Sequence, residues 1–294
     1  MQPIFNSMKL NLRHILYLTL IIAGAGVFAS FSIKKRSESG NMELINRIFD
    51  AVANVKTLKY SLQCNERIKG RMQHTESKVK LQIKPRRLYL NIRGVEVLWV
   101  EGSNNGEALV NPNAFPYMNL NLDTYGSLMR KDQHHTIHEM GYTYLADILK
   151  DGLRRAGDNI DKYFKVLGEE KYNGRDCYKL SISFPDFAWN NYTVKKDENL
   201  ITISRKLHVS EYMVLENNPK LGSYNDVKEG QVIKVPNAYA KLTLLLIDKE
   251  YMLPVNNKVF DDKGLYETYE YYDLQVNPTI APEEFTKNFK GYHF

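Results

Sequence analysis

The sequence predicts an α+β fold: a long antiparallel meander with two helices, interrupted late by a small βααβ module. Three observations predict it. Apolar and polar residues alternate in several runs over 58–110 and again over 242–274, the period of strands with one buried face. Residues 42–55 instead place Leu44, Ile45, Ile48, Phe49 and Val52 at helical spacing, and a second helix is read at 142–156. The segment 192–236 departs from both patterns, with two short helical stretches between two strand-like ones. Tyrosine usage agrees: 20 Tyr stand against 2 Trp and 12 Phe, and tyrosine favours strands and amphipathic surfaces.

Composition excludes several function classes. A hydrophobic share of 43% and a charged share of 25% rule out wholesale disorder. Two cysteines cannot build a disulfide framework or a four-cysteine zinc site. The net charge of +6 is diffuse, with no basic run longer than Lys34-Lys35-Arg36, so no nucleic acid is expected as a partner.

The elements follow in order. Residues 15–33 are uncharged and mainly apolar and come after Lys9, Arg13 and His14, so 1–36 is read as a signal peptide or an N-terminal membrane anchor. Val27-Phe28-Ala29 suits cleavage before Ser30, whereas Lys34-Lys35-Arg36 resists export. Either way the body is expected in the periplasm, exported or tethered to the inner membrane. Residues 37–191 form the first part of the larger domain. Its helix at 42–55 gives way to inward-facing Leu58, Tyr60, Leu62 and Cys64, a turn near Gly70, and then Val79, Leu81 and Ile83. Leu88, Leu90 and Ile92 follow, then Val95, Val97 and Trp99, with Asn104-Asn105-Gly106 turning the chain into Ala108-Leu109-Val110. Strands resume at 163–167 and 177–184, with Glu169-Glu170 as a solvated hairpin end.

In the module, Tyr192-Thr193-Val194-Lys195 is a strand, and Leu200, Ile203 and Leu207 recur at helical spacing. Ser210 is placed to cap a second helix through Glu216, and 230–236 closes the module as a strand. Residues 237–294 then return to the larger domain through Leu242, Leu244 and Leu246, strands at 255–260 and 265–274, and a turn at Asp261-Asp262-Lys263-Gly264. Two runs are apolar on both faces: Val97 and Trp99 against Leu98 and Val100, and Leu242, Leu244 and Leu246 against Leu245 and Ile247. Both faces must therefore be covered, by helices or by a ligand.

Site chemistry is sparse. His134-His135-Thr136-Ile137-His138-Glu139 concentrates imidazoles, the commonest zinc ligands. The spacing is not His-Glu-x-x-His, however, and a helix would separate the histidines into pairs. The run is read as a polar loop opening the following helix, with no metal. Cys64 and Cys177 could gain roughly 4–5 kcal/mol by pairing, but strand parity favours separate thiols. No nucleophile elbow, phosphate loop or dinucleotide motif is present, so neither catalytic residues nor cofactors are expected.

Two family resemblances follow from particular residues. Tyr192 to Leu200, Ile203-Ser204, His208-Val209-Ser210, Asn218-Pro219 and Gly230-Gln231-Val232-Ile233-Lys234-Val235-Pro236 together closely resemble a LysM domain. The resemblance implies binding of N-acetylglucosamine glycans, mainly peptidoglycan in bacteria. The sugar would lie in a shallow groove between Asp197, Glu198, Asn199 and Leu200 on one loop and Asn218, Pro219, Lys220 and Leu221 on the other. Asp197-Glu198-Asn199 replaces the family's usual Gly-Asp-Thr, and losing the glycine makes that turn harder to form.

The remainder resembles a branch of unknown function within the LolA-like superfamily of periplasmic lipoprotein carriers. The resemblance rests on Lys84-Pro85-Arg86-Arg87-Leu88-Tyr89, Ile247-Asp248 before Leu253-Pro254-Val255, the stretch 266–273, and Asn277-Pro278 leading to Phe285. It implies an incomplete antiparallel barrel wrapped on helices, with an apolar cavity for a lipid or lipoprotein acyl chain. The implied function is a non-enzymatic, peptidoglycan-binding envelope protein; the alternative is a cell-wall-active hydrolase or accessory factor targeted by LysM.

Overall fold

Helix α1 (Gly40–Ala53) buries Leu44, Ile45 and Ile48 along one face in the computed structural model, which describes residues 40–115 and 117–294. Six strands follow as a meander: β1 (Thr57–Ile68), β2 (Arg71–Gln82), β3 (Arg87–Ile92), β4 (Val95–Val100), β5 (Ala108–Asn111) and β6 (Leu120–Leu122). β1 and β2 pair along their full length across Lys69-Gly70, whose φ values of 49° and 76° give the two-residue turn that matches strand twist. Helix α2 (Thr143–Ala156) and the one-turn α3 (Ile160–Tyr163) lead into β7 (Phe164–Tyr172) and β8 (Arg175–Ser183). The module follows as β9 (Trp189–Thr193), α4 (Leu200–Leu207), α5 (Glu211–Glu216) and β10 (Val232–Pro236). The chain then returns through β11 (Leu242–Asp248), β12 (Pro254–Asp261) and β13 (Gly264–Val276). The first module strand thus starts three residues earlier than the sequence pattern indicates.

Among the described residues, eleven strands form one antiparallel sheet in the order β6-β5-β4-β3-β2-β1-β13-β12-β11-β8-β7, and β9 pairs with β10 in a separate two-stranded sheet. The two ends, β6 and β7, do not pair with each other, so the barrel is incomplete. β3 and β7 stand seven places apart in this order, yet Leu90 and Phe164 line the same cavity. A flat sheet at about 4.8 Å per strand would hold them roughly 33 Å apart. The sheet therefore curls around its inner face.

That inner face is packed by two contiguous cores. One gathers Leu58, Tyr60, Leu62, Val79, Leu88 and Val97. The other joins Leu44, Ile45 and Ile48 of α1 and Leu149 of α2 to Leu180, Leu245 and Ile247. The helices do not fill the interior: a cavity of about 440 Å³ remains between α2 and the sheet.

β8 and β11 are neighbours in the sheet, with Ser183 opposite Leu242. The module is therefore the enlarged tip of one hairpin. Its stem continues the ladder, as Phe184 N donates to Lys241 O and Asn237 N donates to Ala188 O, both at 2.9 Å. Its own core comprises Val194, Leu200, Ile203, Val209, Val214, Ile233 and Val235. A hairpin tip accepts an insertion because the flanking strands already hold its two ends together.

The two-sided apolarity has two different causes. Leu245 and Ile247 face α1 and α2. On β4, Leu98 faces outward and packs with Tyr89 and Phe285, flanked by Val100, Ile280, Tyr292 and Phe294. The outer cover is thus the chain's own C-terminal segment, including the 3₁₀ turn Pro282–Phe285 and anchored by a Tyr89–Tyr292 ring stack at 3.8 Å. Cys64 and Cys177 are both free thiols. Among the described residues no helix is long and apolar enough to cross a membrane; the 1–36 segment lies outside them.

Candidate functional site

The strand alternation that builds the inner face also builds the site. Tyr60, Leu62 and Cys64 point into the cavity, and the next residue in that phase is Glu66. On β13 the inward phase runs Glu267, Tyr269, Tyr271. Two carboxylates are thereby committed to a largely apolar interior, where an ionised group needs partners. Glu66 is 7% exposed and Glu267 only 1%.

The partners come from the histidine run. His134 Nδ1 lies 2.7 Å from Glu267 Oε2, and its Nε2 lies 3.0 Å from the carbonyl oxygen of Arg67. His135 Nε2 lies 3.5 Å from the same Glu267 oxygen and 3.1 Å from the Tyr239 hydroxyl. Tyr239 donates to Glu267 Oε1 at 2.8 Å, and Tyr269 donates to Glu66 Oε1. Burial alone would raise the Glu267 pKa, but His135 and His134 outweigh it and hold the carboxyl well below its usual range. Burial would likewise lower His135, yet the Glu267 charge and hydrogen bond push it up to about 9. Burial and the Glu267 charge drive Tyr239 and Tyr269 well above the ordinary phenol value, so both stay protonated and donate.

This overturns the reading of 134–139 as a polar loop that opens a helix. Ile137–Glu139 is one 3₁₀ turn with Thr136 and Glu139 as its capping box, and α2 starts only at Thr143. Arg86, on the turn after β2, holds the loop inward by donating to the carbonyls of His138 at 3.0 Å and Met140 at 2.8 Å. The three histidines diverge. His134 enters the buried cluster, His135 borders the cavity, and His138 turns away to Thr124 Oγ1 at 2.9 Å and stacks on Tyr125.

The cavity above this floor has apolar walls, including Leu90, Ile92, Leu145, Ile148 and Phe184. The inserted module covers the other side of the floor. His134 is sandwiched between Tyr266 of β13, at 4.1 Å between centroids, and Tyr212 of α5, at 4.9 Å. Ser210 both caps α5, accepting from Met213 N, and bonds the Tyr266 hydroxyl at 2.8 Å. Arg130 forms a buried ion pair with Glu211 and lies over the Tyr224 ring at 3.7 Å. Arg205 of α4 reaches Glu139 Oε1 at 2.8 Å. The module is seated on the sheet rather than hanging from a linker.

On the module's own surface, the two expected glycan loops adopt distinct roles. Asp197 sits at φ 60°, the left-handed conformation that the missing glycine would adopt without strain. Glu198 is consumed within the module, accepting from Tyr192 OH, Lys195 N and Lys206 Nζ. Asn199 caps α4 through Thr202 N and bonds Asn225 at 3.0 Å, while Leu200 is fully buried. Asn218 clamps β10 through Lys234 N and O, and Leu221 leans on the module core. Pro219 and Lys220 are exposed, as is Asp197. Asn199 and the Leu200 amide, which donates to Tyr224 O at 2.9 Å, join the first loop to 224–225, just beyond the second.

Fold and cavity define a class of protein: a curled antiparallel sheet holding an apolar cavity against helices, with a second small module seated at one hairpin tip. The chain belongs to the family described as "Protein of unknown function (DUF1571)", which matches residues 55–211, more than half of its length. The LysM domain family matches residues 192–236, so the two matches overlap at the start of the module. No curated protein matches the chain. Among solved structures it is similar to MucB (12% identity, TM-score 0.40, 84% of this chain against 62% of that one). It is also similar to the lipoprotein LppX of Mycobacterium tuberculosis (10%, 0.39, 83% against 99%) and to a LolA superfamily protein from Nitrosomonas europaea (10%, 0.32, 85% against 98%). The chain thus spans less than two thirds of the MucB chain.

Sequence reasoning missed Glu66, Glu267, Tyr239 and Tyr269 as site residues. A signal existed for the two glutamates, since each occupies the inward phase of a strand whose other inward residues are apolar or aromatic.

Proposed function

We propose that this protein is a non-enzymatic binding protein of the cell envelope. Its LysM module would hold an N-acetylglucosamine glycan such as peptidoglycan, while its cavity takes the acyl chain of a lipid or lipoprotein. The observation that carries the reading is the cavity itself. At about 440 Å³ it falls within the roughly 300–1,000 Å³ of small-molecule sites. Its walls are largely apolar, and each buried methylene of an acyl chain contributes about 0.8 kcal/mol. On the module, the sugar would rest on the Asp197–Leu200 turn and on 218–221. Exposed Asp197, Pro219 and Lys220 would supply side-chain contacts, while Glu198, Asn199, Leu200, Asn218 and Leu221 shape the loops. A periplasmic site of action, reached through the 1–36 segment as a signal or a tether to the inner membrane, is consistent with both ligands. A cell-wall hydrolase would require a carboxyl that keeps its proton near neutral pH. Glu267 is instead held ionised at the floor of an apolar cavity and does not fill that acid's role.

Two measurements test the halves separately. The full chain should co-sediment with purified peptidoglycan, and a chain lacking residues 192–236 should not. Native mass spectrometry of envelope-purified protein should show bound lipid, and an environment-sensitive fatty acid should bind saturably. Absence of both lipid and probe binding would remove the acyl-chain half.

A further inference from the structure

The cavity floor has a composition that an acyl chain does not use. We propose that Glu66, His134 and Glu267, completed by His135, form a binding site for one divalent transition-metal ion. One donor atom from each of Glu66, His134 and Glu267 lies within 4.8 Å of the other two, and all three residues are buried. His135 Nε2 stands 3.5 Å from Glu267 Oε2 on the cavity side.

The hydrogen bonds around these groups have the pattern of a ligand shell. A metal-ligating histidine normally donates its other ring N–H to a carbonyl or carboxylate. His134 Nε2 faces the Arg67 carbonyl oxygen at 3.0 Å, an atom that can only accept, so Nε2 carries a proton. His134 Nδ1 then faces Glu267 Oε2 at 2.7 Å, an ion pair when the ring is protonated and two converging donor atoms when a metal ion displaces that proton. The carboxylates are oriented in turn, Glu66 by Tyr269 OH and Glu267 by Tyr239 OH. A divalent ion that displaces the ring protons on binding would balance the two buried carboxylates.

A separate observation points the same way. Asn257 also lines the cavity, is 6% exposed, and has no hydrogen-bond partner for its Oδ1 among the described residues. It pairs with Tyr269 across the β12–β13 ladder, two positions from the Val259–Glu267 pair with Lys258–Thr268 between. A buried acceptor without a donor is costly, and a metal-bound water in the cavity would satisfy it. Imidazole and carboxylate donors suit zinc, manganese or iron(II) rather than calcium. The site stands independently of the acyl-chain reading.

The test uses the full chain, stripped with chelator and re-dialysed against zinc, with bound metal measured by elemental analysis and titration calorimetry. One zinc per chain is expected. Glu66→Gln and Glu267→Gln should each weaken zinc binding by more than about 100-fold, while His74→Ala, at an exposed histidine beside Glu76, should leave it unchanged. Cobalt(II) is a second probe: the wild type should show intense d–d absorption, and Glu66→Gln, which retains an acceptor for Tyr269, should lose it. A wild type that binds neither ion stoichiometrically would overturn the proposal, as would equal binding by both glutamine variants.

Discussion

The inserted module and the cavity floor are assembled from opposite kinds of contact. In the module, the residues that shape the candidate site bond one another at short range: Tyr192 to Glu198, Asn199 to Thr202, Asn218 to Lys234. At the floor, Glu66 meets Tyr269 across 203 positions and His134 meets Glu267 across 133. Local contacts leave a linear pattern that identifies the domain, whereas long-range contacts leave only single residues out of phase. The module's polar groups are also spent on its own framework, which leaves a few exposed side chains for a ligand. The floor concentrates charge where a ligand or ion can use it.

The largest expected effect breaks the seam between the two regions. Arg130→Ala should cost about 3 kcal/mol, the low end for a broken buried pair, because it leaves the buried Glu211 carboxylate with Arg205 Nε at 3.2 Å as its remaining cation. Chemical denaturation should then resolve separate transitions for module and sheet; one unshifted transition would show that the seam is not energetically coupled. A smaller effect separates ligand from fold. Ile148→Trp projects a large ring into the cavity and should weaken fatty-acid probe binding at least about tenfold, with a stability cost of about 1–3 kcal/mol at most. Unchanged probe affinity would place the lipid elsewhere.

Ser210→Ala removes both the α5 cap and the Tyr266 contact, for an expected loss of about 1–2 kcal/mol in thermal unfolding. A loss no greater than that of an exposed-site control would show that the double role is not used. The smallest expected effect has the opposite sign. Asp197→Gly should stabilise the module by about 1 kcal/mol by relieving the left-handed strain at φ 60°, and it should leave or improve glycan co-sedimentation. A destabilised variant would mean that the Asp197 side chain does more than occupy the turn.

Legibility in the sequence followed the same division. The helices near 42–55 and 142–156, the strand runs, the Ser210 cap and the LysM segment were all readable, because each is encoded by neighbours or by a period. The cover on the outer face of β4 was not, since Tyr89 and Phe285 are distant in sequence and nothing local marks them as partners. The histidine run was the instructive failure: its spacing matched no helical metal motif, and its real partners lie on β1 and β13.

By itself, then, the sequence determined where strands, helices and the inserted module lie, because backbone periodicity and turn chemistry act over a few residues. It also committed Glu66 and Glu267 to the inner face, through strand parity alone. Only the tertiary structure decided that both glutamates converge on His134, that α5 seats Tyr212 over that ring, and that the helices stop short of filling the interior. Those outcomes depend on the curl of an eleven-stranded sheet. Curl sums small twists over the whole strand order and is written in no single segment.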